Sequence, residues 1–167
     1  MVYIKDCIAN LTAINSDKSE RGLTLLELLI VMLVLGVLTG VALPNLVAQV
    51  GKAREVEAKQ NLSAIAFAQQ AYHFENRTFA NTYSETGLTF SSTNYDYSPP
   101  ISSNSVTISD AIPKNLGNDN YRTYSVGIYY NNGVFSVILC QARDPVTTTQ
   151  APNSESGNCS NGGIIIQ

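Results

Sequence analysis

A single carboxylate, Glu27, stands at the mouth of an apolar run, and the chemistry open to it is charge pairing. From Leu28 to Gly51 there are 24 residues with no Asp, Glu, Lys, Arg or His. Ionised and unpaired in hydrocarbon, Glu27 would be costly, so it needs either a partner or a place near lipid headgroups. The second position is also favoured by the positive end of a helix dipole. Three cysteines offer a different chemistry. Cys7 lies near the amino terminus, while Cys140 and Cys159 are 19 positions apart near the other end. In an oxidising compartment that pair reads as a disulfide, whose loop closure would contribute roughly 3 kcal/mol. In a reducing cytosol it reads as two free thiols, and the membrane-length apolar run argues for the former.

The remaining reactive side chains form no catalytic pattern. His73 is the only histidine and lies between Tyr72 and Phe74, so it reads as a solvated or packed helix residue. Asp96, Asp110, Asp119 and Asp144 are scattered without the spacing of a calcium loop. There is no phosphate-binding glycine pattern, no C-x-x-C and no G-x-S-x-G, so no metal, cofactor or catalytic residue is implied. Charged residues are 14% of the chain, against roughly 25% in an average soluble domain. With a net charge of -3 the basic footprint demanded by nucleic acid is missing, apart from a local group of Lys52, Arg54 and Lys59. The nine tyrosines suit half-buried strands.

These residues must be positioned by two kinds of element. Leu28 to Leu43 is almost wholly aliphatic and long enough to cross a bilayer core of about 30 Å. A secretory signal peptide cleaved after Ala42 is the competing reading, but Pro44 falls at the second position after that bond and no A-x-A-like triplet precedes it. Helical character then continues, with Ala58, Leu62, Ile65, Gln69 and Tyr72 sharing one face at spacings of three and four. One helix from Leu23 to about Glu75, roughly 80 Å long, is the economical expectation. Pro44 should bend it, and Gly36, Gly40 and Gly51 should loosen it. Beyond Arg77 the texture turns to Ser, Thr, Asn, Tyr and Pro. Tyr124, Val126, Ile128 and Tyr130 alternate with smaller or polar neighbours and lead through Asn131-Asn132-Gly133 into Val134 to Cys140, a hairpin signal. Ser105 to Ser109 offers a third strand, and the stretches 81–104 and 143–163 read as loops.

The junction Arg21-Gly22-Leu23-Thr24-Leu25-Leu26-Glu27 resembles the type IV pilin and pseudopilin superfamily, with Leu23 standing where that family usually has Phe. The resemblance is close from Glu20 to Ala80 and holds in outline beyond; from Gly51 to Ala80, with Lys52-Ala53-Arg54-Glu55, Tyr72, Asn76, Thr78, Phe79 and Ala80, the chain looks like the branch common in cyanobacteria. It implies cleavage between Gly22 and Leu23 by a prepilin peptidase and methylation of the new amino group on Leu23. Removal of the first 22 of 167 residues would leave 145. It also implies that Glu27 neutralises the amino terminus of a neighbouring subunit, an amine whose ordinary pKa is about 7.7–8.0. Pro44 matches the family's helix-bending proline, and Gly36 the glycine where the assembled helix loses order. The terminal pair Cys140 and Cys159 looks like the family's disulfide-bounded loop.

The fold implied is α+β, a long helix packed on a small antiparallel sheet, with residues 1–22 a leader removed on maturation. Residues 23–51 would be the transmembrane and filament-core half of the helix, 52–77 its amphipathic half, and 78–167 a globular head. The function implied is that of a non-enzymatic structural subunit, a major or minor pilin, of a type IV pilus that supports motility, adhesion or DNA uptake. Its partners would be other copies and related pilins, the peptidase and methyltransferase, the assembly machinery and inner-membrane lipid. The precursor would sit in the inner membrane and the mature chain in an extracellular filament. A type II secretion pseudopilin, and a minor pilin that captures DNA, are the rival readings. The charges of the leader cancel, Lys5, Lys18 and Arg21 against Asp6, Asp17 and Glu20, so orientation follows from the resemblance and not from charge.

Overall fold

The computed structural model describes residues 3–118 and 120–166, with the backbone only for residues 3–23, 44, 45, 47 and 48. Helix α1 runs Tyr3–Asn76, beginning some twenty residues ahead of the expected start at Leu23. The sequence holds no Gly before Gly22 and no Pro before Pro44, so nothing breaks the helical ladder there. The helix ends where Arg77 takes a positive φ of 59°, its N–H donating to the His73 carbonyl at 2.8 Å. The chain forms two compact units, Met1–Ala48 and Gln49–Gln167.

In the second unit a six-stranded sheet is antiparallel throughout. Its strands are β1 (Tyr95–Tyr97), β2 (Ile101–Ser102), β3 (Val106–Pro113), β4 (Tyr124–Asn131), β5 (Val134–Gln141) and β6 (Ile164–Ile165). The order is β1-β3-β4-β5-β6, with β2 sharing the β3 edge beside β1. The expected hairpin is β4–β5, in register from Tyr124↔Gln141 to Asn131↔Val134. Its turn has Asn132 at φ 48° and Gly133 at φ 90°, the positive angles that an Asn-Gly pair supplies at low steric cost. The third strand is longer than foreseen, and the presumed loop 81–104 contains β1, β2 and a turn of 3-10 helix at Ser84–Thr86.

One face of the sheet packs on α1. Ala58, Leu62 and Ile65 meet Val126, Ile128 and Leu139 with Tyr95, Phe79 and Tyr124 around them, all buried. Each fully buried Leu or Ile contributes roughly 1.5–3 kcal/mol. The buried stripe of α1 continues through Gln69 to His73, 2% exposed, rather than to Tyr72, which is half-buried. Position 73 lies one turn beyond Gln69, and its ring fills a slot 4.3 Å from Tyr130 and 4.5 Å from Phe79, with Nε2 3.0 Å from the Asn104 carbonyl.

Polar side chains on α1 tie down the segment that follows it. Gln69 bonds Ala80 twice, accepting from its N–H at 2.9 Å and donating to its carbonyl at 3.0 Å. Glu57 accepts from Ser92 at 2.8 Å and Asn94 at 3.2 Å, while Asn61 donates to the Tyr97 hydroxyl at 2.7 Å. A stretch poor in apolar residues is thereby held against the helix by satisfied polar groups.

Candidate assembly site

The amino-terminal unit carries the span Thr24–Leu43, 20 residues of mean hydropathy 2.6, with no part of it buried inside the chain. Glu27 is exposed on its first turn and is the only ionisable side chain between Thr24 and Gly51. The one hydroxyl further along, Thr39, turns back to the Leu35 and Gly36 carbonyls at 2.8 and 3.0 Å, so it presents no unpaired donor to an apolar surrounding. A Cβ built on Gly36 or Gly40 would meet nothing within 4 Å, so the backbone there is open to close approach. Gly22 is described by its backbone alone, and the side chains of Leu23 and Pro44, and also Asp119, lie outside the described residues. A surface of this kind, with one acid at its start, can exchange lipid for other helices and can hold one positive partner.

The second feature is the sheet face turned away from α1. Ile108, Tyr129, Ile138 and Cys140 form a second buried cluster with Ala151 and Cys159 from the segment that leaves β5. Cys140 and Cys159 are joined as a disulfide, with Cα atoms 5.8 Å apart, and this clasps residues 142–163 over the face as a strap. The Tyr129 hydroxyl donates to the Pro152 carbonyl at 2.5 Å, and burial pushes its pKa up to about 12. Gly127 has no side chain because one would run into the Tyr129 hydroxyl and come within 3.0 Å of the Ala151 Cβ.

Residues 17–43, the stretch that holds Glu27 and the span, match the prokaryotic N-terminal methylation motif. Residues 55–161, from the second half of α1 through the strap, match the family described as type IV pilin-like G and H. The chain belongs to that family. Its α+β, pilin-like fold agrees with the architecture expected from the sequence. Among curated relatives of this pilin-like chain, the type IV major pilin protein PilA of Myxococcus xanthus (strain DK1622) is 35% identical over 69 residues, 41% of this chain and 31% of its own length. The type II secretion system core protein G of Klebsiella pneumoniae is 36% identical over 69 residues, 41% of this chain and 48% of its own. That of Escherichia coli (strain K12) is 34% identical over 67 residues, 40% and 46%. The pilin-like chain thus spans 31% to 48% of the length of these relatives. No solved structure matches it.

Sequence reasoning left Asp110 among scattered acids, whereas it clamps the strap. Its carboxylate accepts from the Ser125 hydroxyl at 2.5 Å and from the Gln150 amide at 3.1 Å, and Ser125 accepts in turn from the Ala151 N–H at 2.8 Å. The register Asp110↔Ser125 places both on the outer face, a relation readable only once the pairing of β3 with β4 is known. Burial holds the Asp110 carboxyl above the usual carboxylate range, partly offset by the bonds from Ser125 and Gln150. A raised native pKa means that the folded chain holds this proton to higher pH than the unfolded chain. Its contribution to stability therefore falls as pH rises from the ordinary carboxylate range through the native value. Asp110→Asn carries no such dependence. The melting temperature of this variant relative to the parent should climb between about pH 3 and pH 7. A difference that stays flat across that range would contradict the assignment.

Proposed function

We propose that this chain is a structural subunit of a type IV pilus, cleaved between Gly22 and Leu23, methylated on Leu23, and assembled through the apolar half of α1. The observation that carries the reading is the wholly exposed span Thr24–Leu43, headed by the lone Glu27. A newly freed amine on Leu23 and the Glu27 carboxylate are each costly in an apolar filament core, and pairing between copies answers both. The same pairing sets the register in which copies meet. Exchange of lipid for neighbouring helices gives no hydrophobic gain, so close packing over Gly36 and Gly40 and the charge pair decide assembly. Gly36 and Pro44 would be where the helix loosens and bends to fit. The precursor would reside in the inner membrane and the mature chain at the cell surface, with other pilins, the peptidase and the assembly machinery as partners.

A pseudopilin of type II secretion is the second reading, favoured by the likeness to core protein G. The disulfide-clasped strap supports the pilus. Deleting the gene and scoring surface filaments, DNA uptake and secreted enzymes side by side separates the readings. Filaments should vanish, and loss of secretion with filaments intact would reject the pilus. Within the pilus reading, Glu27→Gln should insert in the membrane normally but enter filaments at least tenfold less, the equivalent of about 1.4 kcal/mol. Wild-type incorporation by that variant, measured in sheared material, would remove the charge pair.

A further inference from the structure

Strand β5 is paired fully along one side and only in part along the other. On the first side β4 runs from Tyr124↔Gln141 to Asn131↔Val134, and the two-residue turn Asn132-Gly133 makes the closing pair a hydrogen-bonded one. Even-numbered residues of β5 therefore direct their backbone N–H and C=O to β4, and odd-numbered residues turn theirs outward. There β6 covers Cys140 and Gln141, and the Ile166 N–H donates to the Leu139 carbonyl at 2.9 Å. Among the described residues nothing carries this ladder past Leu139, so Phe135 and Val137 each present a donor and an acceptor to an open edge. Natural edges are blunted by charge, proline or a bulge, yet from Asn131 to Gln141 there is no Asp, Glu, Lys, Arg or Pro.

The same odd-numbered residues send their side chains toward α1. Phe135, Val137 and Leu139 join the core on the helix side, whereas Ile138 and Cys140 lie on the other face. Val137 and Leu139 meet Ser63, Ala66, Phe67 and Gln70 of α1 across a hollow of about 110 Å³. A dry cavity of about 150 Å³ can hold benzene, so this one has room for a single aliphatic side chain. Glu57 and Asn61 reach toward β1 from one flank of α1, and the hollow lies on the flank toward β5. The wall it offers is uncharged, since Gln60 to Phe74 contains no Asp, Glu, Lys or Arg.

We infer that edge and hollow together form a groove for an extended segment of a partner protein, laid antiparallel on β5 in line with β6 and carrying uncharged, apolar side chains at alternate positions. The residue opposite Val137 and the one opposite Phe135 each exchange a pair of backbone bonds with β5. Their side chains fall on the α1 face, the first of them into the hollow beside Phe67. β6 shows what this edge accepts, because Ile164 and Ile165 already occupy the same track. A second copy's β5 laid antiparallel over both bonding residues would drive its Asn132-Gly133 turn against Ile166, so the occupant is a different chain.

The test uses the full chain in detergent micelles and a synthetic peptide, acetyl-Ser-Val-Thr-Val-Ser-amide, with hydrogen exchange read at single amides by NMR. At millimolar peptide the Phe135 and Val137 amides should exchange about tenfold more slowly, while Ser136 and Ile138, already bonded to β4, should not change. Methylating the backbone nitrogens of both valines removes the donors that face β5 and should abolish the protection. Methylating that of the threonine, which faces away, should leave it intact. Equal behaviour of the two methylated peptides, or no protection by the parent peptide, would overturn the inference. So would protection of Phe135 and Val137 in the chain alone that grows with its concentration, since a second copy would then hold the edge. The readout needs no filament, so its outcome is independent of the pilus reading.

Discussion

Gly22→Leu is expected to leave the chain uncleaved, still beginning at Met1, and to lower its presence in sheared filaments by about a hundredfold or more. The cause is electrostatic as much as steric. In the proposed assembly, a chain left uncleaved frees no amine at position 23, so Glu27 would meet no positive partner on a neighbouring copy. An unpaired charge in an apolar setting costs on the order of 3 kcal/mol on the gentler scales, which converts to about a hundredfold in incorporation. Retention of residues 1–22 would add Lys5, Asp6, Asp17, Lys18, Glu20 and Arg21 to a region that the proposed filament packs against apolar helices. Mass spectrometry of membrane and sheared fractions reads the outcome directly. A mature chain beginning at Leu23 in this variant would show that the cleavage site lies elsewhere. Glu27→Gln, by contrast, should be cleaved normally and fail later, so the two variants separate processing from assembly.

The parts of this chain that were legible in advance are those whose signal is local. The span and its single acid are a matter of composition, and the β4–β5 hairpin is announced by alternation around Asn132-Gly133. The parts that were not legible are set by distant partners. β1, β2 and β6 have two or three residues each and exist because β3 and β5 offer them an edge, which is too little sequence to carry a period. Glu57 and Asn61 read as ordinary helix surface, yet they hold residues some 35 positions away. His73 read as a solvated or packed helix residue, and only the fold decides for packed, because its slot is built by Phe79, Tyr130 and Phe135, which converge from afar. The clamping role of Asp110 was hidden for the same reason.

Replacing both Cys140 and Cys159 with Ser should cost roughly 3 kcal/mol, because the bond closes a loop of 19 residues and so restricts the unfolded chain. For a unit of this size that is a fall in melting temperature on the order of 10 °C. The loss should concentrate on the outer sheet face. Cys140 sits at the register point where β5 pairs with Ile165 of β6, and the strap it anchors covers Ile108 and Tyr129. Several bonds would still hold the strap, among them those from Gln150 to Asp110, from Ala151 to Ser125 and from Tyr129 to Pro152. The strap should therefore open locally before the sheet unfolds, and cleavage by protease between Arg143 and Gly157 should rise well ahead of the global transition. Because the core against α1 shares no atom with the clasp, Leu62, Ile65 and Val126 should keep their protection against hydrogen exchange in the Ser variant. An unchanged melting temperature, or strap and core opening together, would mean that the bond constrains the fold otherwise than by pinning this segment. On the pilus reading, protein sheared from the cell surface should carry this bond oxidised, which thiol labelling would read.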